Sequence, residues 1–491
     1  MARRLLGGID AIVEPAIAAA RIPGAAVAVV VGDEIVCTRG YGYRDARAKL
    51  PMTPATCYPI ASTTKAMSAT LLGMLVDESR LAWDAPVQTY LPRFRLGDPS
   101  MSGEVTLRDL LCMRTGLPRH DWLWLGNPMT RAELLGRLRH LELSAGFRER
   151  FQYSNITATI AGHVAEEVTG RSWEDLVRER LFEPLQMRTT RCGPPGELQS
   201  TVCYHETRER EIVASQPFAS AVTAPSGGAI YSTVDDMAQW ILFNLKGGDC
   251  GGQQLIAAAT LAEIQAPQIV ARGDTSCPSP HAAYCFGWFL DTHDGRVRLT
   301  HGGYLNDLVS EVSLFPQDSV GLVTFINFGP PGIARYINTR LFDLMMALDS
   351  FATPGERLRQ YETSVLNRRS RIESAPRVHD TVPSHGRADY VGIYEHPGYG
   401  QLEIRRNGES LALYRGTFSL ELRHWHYDAW VSNDARFTIH VENPFDATNL
   451  VLFETNGTGD INALTLRLEP AVSRVRFAKR RSEFVATRSG A

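Results

Sequence analysis

Lysine is the scarcest charged residue in this chain: four, at positions 49, 65, 246 and 479, among 51 basic residues. Each lysine therefore invites a question that the abundant arginines do not. Net charge is missing too, since 51 basic residues face 54 acidic ones and leave −3 at pH 7. Phosphate backbones bind to basic faces, so this balance speaks against a nucleic-acid partner. No apolar run approaches the ~20 residues of a membrane-spanning helix, which speaks against a membrane partner. The opening Met1, Ala2, Arg3, Arg4 imitates the basic start of a secretory leader. However, Asp10 and Glu14 interrupt the apolar stretch that follows, and no small-residue cleavage site ends it. The expectation is a cytoplasmic protein. The eight cysteines, at 37, 57, 112, 192, 203, 250, 277 and 285, include no Cys-x-x-Cys pair. Reduced, mostly buried thiols are expected.

Several site signatures are also absent. There is no Gly-x-Ser-x-Gly elbow, which excludes the ordinary α/β-hydrolase reading. There is no His-Glu-x-x-His, and Gly40-Tyr41-Gly42 lacks the third glycine of a dinucleotide fingerprint. The one close histidine pair, His424-x-His426, alternates with Trp425 and Tyr427 and reads as one face of a strand. No metal and no cofactor are expected.

What is present is an ordinary globular composition, 44% hydrophobic and 21% charged over 491 residues, enough chain for two or three domains. Leu6, Ile9, Ile12, Val13 and Ile17 have the spacing of an amphipathic helix. Residues 25–31 and 34–37, joined by Gly32-Asp33, read as a hairpin of buried strands. A helix is expected just after Ser62, and strands at 286–290, 309–315 and 321–326. Strands at both ends with helices between suggest one α/β (α+β) domain over residues 1–352, its sheet assembled from distant pieces. Residues 353–388 read as a linker, charged and helical at 356–373 and then proline-bearing at Pro376 and Pro383. Residues 389–491 carry eight short β-rich runs, at 390–396, 400–406, 410–415, 419–425, 435–441, 449–454, 461–468 and 474–479. Turn residues separate them, and a small antiparallel barrel is expected.

Lys65 lies in Ser62-Thr63-Thr64-Lys65, the Ser-x-x-Lys spacing of a serine nucleophile and its lysine partner. Residues i and i+3 share a helix face, so the amine can reach the hydroxyl. A bare Ser-x-x-Lys fits equally a serine that only caps a helix. Tyr153-Ser154-Asn155 stands about 90 residues on, in a turn-like stretch before an apolar helix. His301-Gly302-Gly303 follows the strand-like 296–300 and reads by itself as a turn. Trp122-Leu123-Trp124 fits either the lining of an apolar cleft or a loop packed on a helical subdomain.

The order Ser-x-x-Lys, Tyr-x-Asn, His-Gly-Gly resembles the serine β-lactamase and penicillin-binding superfamily, in the branch of class C β-lactamases, D-aminopeptidases, DD-peptidases and related esterases. Ile22-Pro23-Gly24, Arg39-Gly40-Tyr41-Gly42, residues 105–111 with Thr115-Gly116-Leu117-Pro118, Ser226-Gly227-Gly228 and Phe286-Gly287-Trp288 extend the resemblance over residues 8–350. The C-terminal part, with residues 390–394 and 424–428, is similar to the lipocalin-like domain of some serine peptidases of that branch. The resemblance implies an antiparallel sheet with a helical subdomain, followed by an eight-stranded lipocalin-like β-barrel.

The resemblance also implies roles. Ser62 is the nucleophile that forms an acyl-enzyme, and Lys65 and Tyr153 handle its proton, with the base open between them. His301 orients Tyr153 or assists the leaving group. Asn155 positions the substrate amide or the lysine, and Gly302 and Gly303 border the bound substrate. The backbone N–H groups of Ser62 and Tyr304 form the oxyanion hole. After His-Gly-Gly, relatives often carry a small stretch such as Gly-Phe, whereas this chain has Tyr304-Leu305-Asn306-Asp307-Leu308. The expected activity is a cofactor-free serine hydrolase acting on a small-molecule or short-peptide acyl substrate. Acyl transfer to an alcohol or amine uses the same residues and stays open, as does a non-catalytic binding or sensor module. Oligomeric state is not readable.

Overall fold

The computed structural model describes the chain except residues 1, 126, 128, 197–198, 208–210, 216–224, 273–278, 280, 306, 330, 349–376, 417, 433–449 and 481–491. The linker helix expected at 356–373 lies outside the described residues. So does the barrel strand expected at 435–441.

The principal helices are α1 (Ala2–Ala19), α2 (Thr64–Asp77), α3 (Asn155–Thr169), α4 (Val234–Leu245) and α5 (Pro331–Met346). A nine-stranded antiparallel sheet joins both ends of the first 350 residues. Its strands are β1 (Gly24–Val31), β2 (Glu34–Asp45), β3 (Leu50–Pro51), β4 (Ile269–Val270), β5 (Ala283–Tyr284), β6 (Phe289–His293), β7 (Arg296–Leu305), β8 (Leu308–Phe315) and β9 (Val320–Ile326). The order across the sheet is β4-β5-β6-β7-β8-β9-β1-β2-β3. β1 runs beside β9 in a register from Ala25 with Ile326 to Val31 with Val320. This is the expected assembly from distant pieces, with the 25–37 hairpin as read.

Alternation along β1 explains the layers, because side chains point to opposite faces at successive residues. Val27 and Val29 pack with Ile9 and Val13 of α1 and with Ile337 and Phe342 of α5. Ala28 and Val30 face the other way, into the cluster of Met67 and Leu71 from α2 and Trp240 and Ile241 from α4. Both faces of β1 are covered, which is why it reads as one continuous apolar run. Among the described residues no helix is long and apolar enough to cross a membrane. The seven described cysteines are free, five of them buried.

Two local expectations need correcting. Phe286, Gly287 and Trp288 are not strand; they form the turn between β5 and β6. Gly287 has φ +79, and a Cβ there would lie 2.5 Å from the Ala66 backbone nitrogen. The turn is pressed against the start of α2, and only glycine fits both the conformation and the gap. Conversely, His301-Gly302-Gly303 is not a turn but the interior of β7. Its glycines answer to close approaches. A Cβ on Gly303 would lie 2.2 Å from the Ile60 carbonyl oxygen, and one on Gly302 2.9 Å from Glu311 Oε2.

The C-terminal part is a closed eight-stranded antiparallel barrel. Its strands are β10 (Gly392–His396), β11 (Gly400–Asn407), β12 (Ser410–Arg415), β13 (Phe418–His426), β14 (Ala429–Val431), β15 (Leu450–Thr455), β16 (Ile461–Leu466) and β17 (Val475–Lys479). β14, the fifth strand in chain order, is not among the runs expected from sequence. Tyr394, Leu402, Leu413, Leu422, Trp430 and Phe477 are buried in a core continuous with that of the first unit.

Candidate active site

The chain enters α2 through a 3₁₀ turn, Ala61–Thr63, that sits against β7. Ala61 is left-handed at φ +47, a conformation that costs a non-glycine residue about 1–3 kcal/mol and recurs at functional turns. Neighbouring backbone holds the turn: the Ile60 N–H donates to Ile230 O at 2.9 Å, and Ser310 Oγ donates to Ile60 O at 2.7 Å. Ser62 is thereby fixed at the start of α2 with Lys65 one turn on.

Lys65 Nζ has three partners: Asn155 Oδ1 at 2.7 Å, Gly227 O at 2.7 Å and Ser62 Oγ at 3.0 Å. The first two can only accept. A neutral amine has two N–H groups and one lone pair, so it satisfies both acceptors and turns the lone pair to the Ser62 hydroxyl. The lysine is buried. Burial first, and then the like charge of Arg119, hold its pKa well below the usual lysine range, with Asp121 acting weakly the other way. The arrangement can take a proton from Ser62.

Tyr153 arrives on the extended segment before α3. Gln152 N–H donates to Met113 O at 2.9 Å and Ser154 N–H to Met113 Sδ at 3.4 Å, which pin the segment on either side. Met113 is steadied by the 105–118 motif, whose buried Asp109 accepts from Thr106, Arg114 and Arg148. The Tyr153 ring centroid lies 4.9 Å from Lys65 Nζ and 6.1 Å from the His301 ring. Asn155 opens α3. Its Nδ2 donates to Asp121 Oδ1 at 3.0 Å, and since a carboxylate cannot donate, this fixes Oδ1 toward Lys65.

His301 is buried on β7 between Tyr153, Tyr284 and Phe289. Its Nδ1 donates to Gly302 O at 2.7 Å, leaving Nε2 to accept from the Tyr284 hydroxyl at 3.4 Å. Burial first, then Lys65, push its pKa down to about 3, so the ring is neutral at ordinary pH. Gly303 shares its face and abuts Ile60. Gly302 belongs to the opposite face, where the space of its missing side chain is bounded by Glu311 Oε2 and, at 3.7 Å, by Arg335 Nη2 of α5. Tyr304 also packs its ring among the α1 and α5 side chains, and its hydroxyl donates to Asp307 in the β7–β8 turn. Asp307, at φ +63, is a turn residue.

Sequence reasoning brought Ser62, Lys65, Tyr153, Asn155 and His301 together and passed over Arg119 and Asp121. Arg119 Nε donates to Asp121 Oδ2 at 2.8 Å, and its guanidinium lies 4.9 Å from the Tyr153 centroid. Trp124 Nε1 donates to Asp121 Oδ1 at 3.1 Å. The only signal was a cluster of charge directly after Thr115-Gly116-Leu117-Pro118. The two tryptophans serve different ends. Trp124 bonds Asp121, whereas Trp122 packs edge-on to Phe418 of the barrel, 5.4 Å between centroids. Among the described residues no three His, Cys, Asp or Glu side chains gather as a metal site.

Residues 376–479 match a domain of unknown function, DUF3471. The chain is 28% identical over 430 residues to the unguisins hydrolase ungD of Aspergillus violaceofuscus (strain CBS 115571), spanning 78% of this chain and 74% of that protein. The octameric penicillin-binding protein homologue from Pyrococcus abyssi is similar in fold, with TM-score 0.63 and 20% identity over 96% of this chain and 100% of that one. D-amino acid amidase from Ochrobactrum anthropi SV3 is similar with TM-score 0.60 and 21% identity over 70% of this chain and 99% of its own. The family model described as Beta-lactamase matches residues 9–345, the whole sheet and every residue around Lys65, and the chain belongs to that family.

Proposed function

We propose that this chain is a serine hydrolase that cleaves a small amide or ester through an acyl-enzyme on Ser62, with Lys65 as the base. The observation that carries this reading is the hydrogen bonding of Lys65, whose acceptor-only partners Asn155 Oδ1 and Gly227 O leave its lone pair for the Ser62 hydroxyl. Ser62 Oγ attacks the acyl carbonyl as its proton passes to Lys65 Nζ. Charge develops on the carbonyl oxygen where the N–H groups of Ser62 and Tyr304 are expected, and such donors are each worth roughly 2.7–4 kcal/mol. As the tetrahedral carbon collapses, the bond to nitrogen or oxygen breaks and the leaving group takes the proton back from Lys65, with Tyr153 sharing the transfer. Water then repeats the sequence on the acyl-enzyme. His301, neutral and with Nδ1–H committed to Gly302 O, supports the orientation of the Tyr153 side and not the donation of a proton from an imidazolium.

One similar protein is named a hydrolase, of unguisins, and one protein of similar fold an amidase, of D-amino acids, which favours amides over plain esters as substrates. The test is intact-protein mass and product release with p-nitrophenyl acetate and a panel of D- and L-amino-acid amides. The parent chain is expected to gain one acyl group and to turn over. Ser62→Ala is expected to gain none and to lose turnover by a factor on the order of 10⁴ or more, with its circular dichroism unchanged. Full turnover by Ser62→Ala would overturn the assignment.

A further inference from the structure

The loop over residues 119–124 touches the reacting groups on one side and the barrel on the other. Toward the site, Asp121 accepts from Asn155 Nδ2, Trp124 Nε1 and Arg119 Nε, and Arg119 lies over Tyr153. Between those two charged residues stands His120, buried and left-handed at φ 45, and its contacts run the other way. The His120 N–H donates to Glu469 Oε2 at 2.8 Å, and its Nδ1 pairs with the Tyr399 hydroxyl at 2.6 Å. Its Nε2 donates to Glu142 O at 2.9 Å. Glu469 follows β16, and Tyr399 sits in the β10–β11 hairpin. Both belong to the barrel.

Arg415, at the end of β12, completes the grip. Its Nη groups donate to the carbonyls of Trp122, of Leu123 at 3.0 Å and, within the barrel, of Tyr399 at 3.1 Å. Its side chain is buried, and no carboxylate is among these partners. Removing a guanidinium from water to hold two loop carbonyls is costly unless every bond is well made. The contacts thus form a relay: Glu469, Tyr399 and Arg415 fix the loop, the loop aims Asp121, Asp121 fixes which end of the Asn155 amide faces Lys65, and Asn155 fixes where the Lys65 lone pair points.

We infer that the barrel is a working part of the acylation site, and that Asp121, with Glu469 behind it, is a positioning residue for the Asn155–Lys65–Ser62 arrangement. The inference rests on the hydrolase reading. It gives the barrel a role other than covering the cleft or limiting substrate size: without its grip, Asn155 is free to turn its Nδ2 to Lys65. The amine would then meet a donor and have to spend its lone pair there instead of on Ser62.

The test uses the full chain and the rate of Ser62 acylation by p-nitrophenyl acetate, followed by intact mass and by p-nitrophenolate release across pH 5–9. Asp121→Asn removes the acceptor-only partner without touching the barrel, and acylation is expected to fall about tenfold to a hundredfold, with KM changed far less than kcat. Glu469→Ala is expected to fall by a comparable factor, and Glu469→Gln, which keeps an acceptor for the His120 N–H, to recover most of the loss. Arg476→Gln, which breaks an exposed barrel ion pair with Glu454 at the start of β17, is the control expected to leave the rate unchanged. Thermal unfolding of each variant separates lost folding from lost rate. If the parent chain gains no acyl group and releases no product, the hydrolase reading fails and this inference with it. If the parent is acylated and folded Asp121→Asn and Glu469→Ala are acylated equally fast, this inference alone is overturned.

Discussion

An ammonium at Lys65 would lie buried, facing the side chains of Asn155 and Tyr153 and the Gly227 carbonyl, with the Arg119 charge acting against it and the Asp121 carboxylate in its favour. His301, also close, is neutral and adds no compensating charge. Loss of the Arg119 charge therefore removes one of the two effects that hold the lysine neutral and leaves the Asp121 carboxylate without its ion-pair partner. Both changes favour the ammonium and raise the lysine pKa. Activity that needs the free amine rises with pH through that pKa, so Arg119→Gln is expected to move the rising limb of kcat/KM toward higher pH and to lower the rate at pH 7. The alkaline plateau should be largely retained. A full pH profile with p-nitrophenyl acetate decides it, and a limb that stays in place would remove Arg119 from the site's electrostatics. Arg119 and Asp121 were not legible in the sequence because neither residue type nor spacing ties them to Ser62. They reach the site only because His120 turns the chain left-handed between them. Ser62 and Lys65, by contrast, were legible because one helical turn relates them locally.

At the level of elements, β7 and the turn before α2 touch with no room between them. Gly303→Ala would put a Cβ 2.2 Å from Ile60 O and equally close to Ser310 Oγ, which itself bonds Ile60 O. The turn carrying Ser62 must then move. Overpacking of this kind costs about 1–3 kcal/mol of stability, and displacing a nucleophile by even ~1 Å can cost roughly a hundredfold in rate. Thermal unfolding together with acylation kinetics should show both losses; a variant with parental stability and rate would mean the turn has slack that its contacts do not suggest. The same glycines explain where sequence reading went astray. His301-Gly302-Gly303 looked like a turn and is mid-strand, while Phe286-Gly287-Trp288 looked like a strand and is a turn. In both places glycine answers to a neighbouring backbone far away in sequence, Ile60 in one case and Ala66 in the other, and no local pattern reports that. The hairpin at 25–37 and seven of the eight barrel strands were legible because alternation and turn residues are local signals. The remaining strand, Ala429–Val431, is three residues long and carries too little pattern to find.

At the scale of the whole molecule, two histidines are deeply folded into places where they cannot easily take a proton, and burial holds the pKa of the half-buried His396 of the barrel down in the same direction. His301 lies behind the nucleophile, with its pKa down to about 3, and His120 lies at the joint with the barrel, down to about 4, burial being the largest cause for both. His120 donates through Nε2 to Glu142 O and accepts at Nδ1 from Tyr399, a set of bonds that only the neutral ring can make. In the unfolded chain each histidine protonates near pH 6.5. As pH falls below that value the unfolded state gains protons that the folded state does not, so stability must fall, by ~1.4 kcal/mol per pH unit per proton. Between pH 6.5 and 4.5 His301 and His120 each account for roughly 2 kcal/mol of loss. Lys65, held neutral, acts in the same direction above its own depressed pKa. Glu469 opposes them, because burial raises its pKa and its protonation favours the folded state as pH falls. The carboxylates held low, buried Asp109 and half-buried Glu166 among them, lose their contribution only at still lower pH. The unfolding midpoint is therefore expected to drop on going from pH 6.5 to 4.5, before ordinary acid denaturation begins. His120→Asn isolates the joint. Asparagine tolerates the left-handed backbone, its Oδ1 can accept from Tyr399 as Nδ1 does, and it does not titrate. Chemical unfolding of parent and variant at several pH values should show the His120 share of the histidine slope gone in His120→Asn, with the shares of His301 and His396 retained. Equal slopes in the two chains would mean that His120 takes up a proton at the joint without disturbing the barrel's hold on the loop.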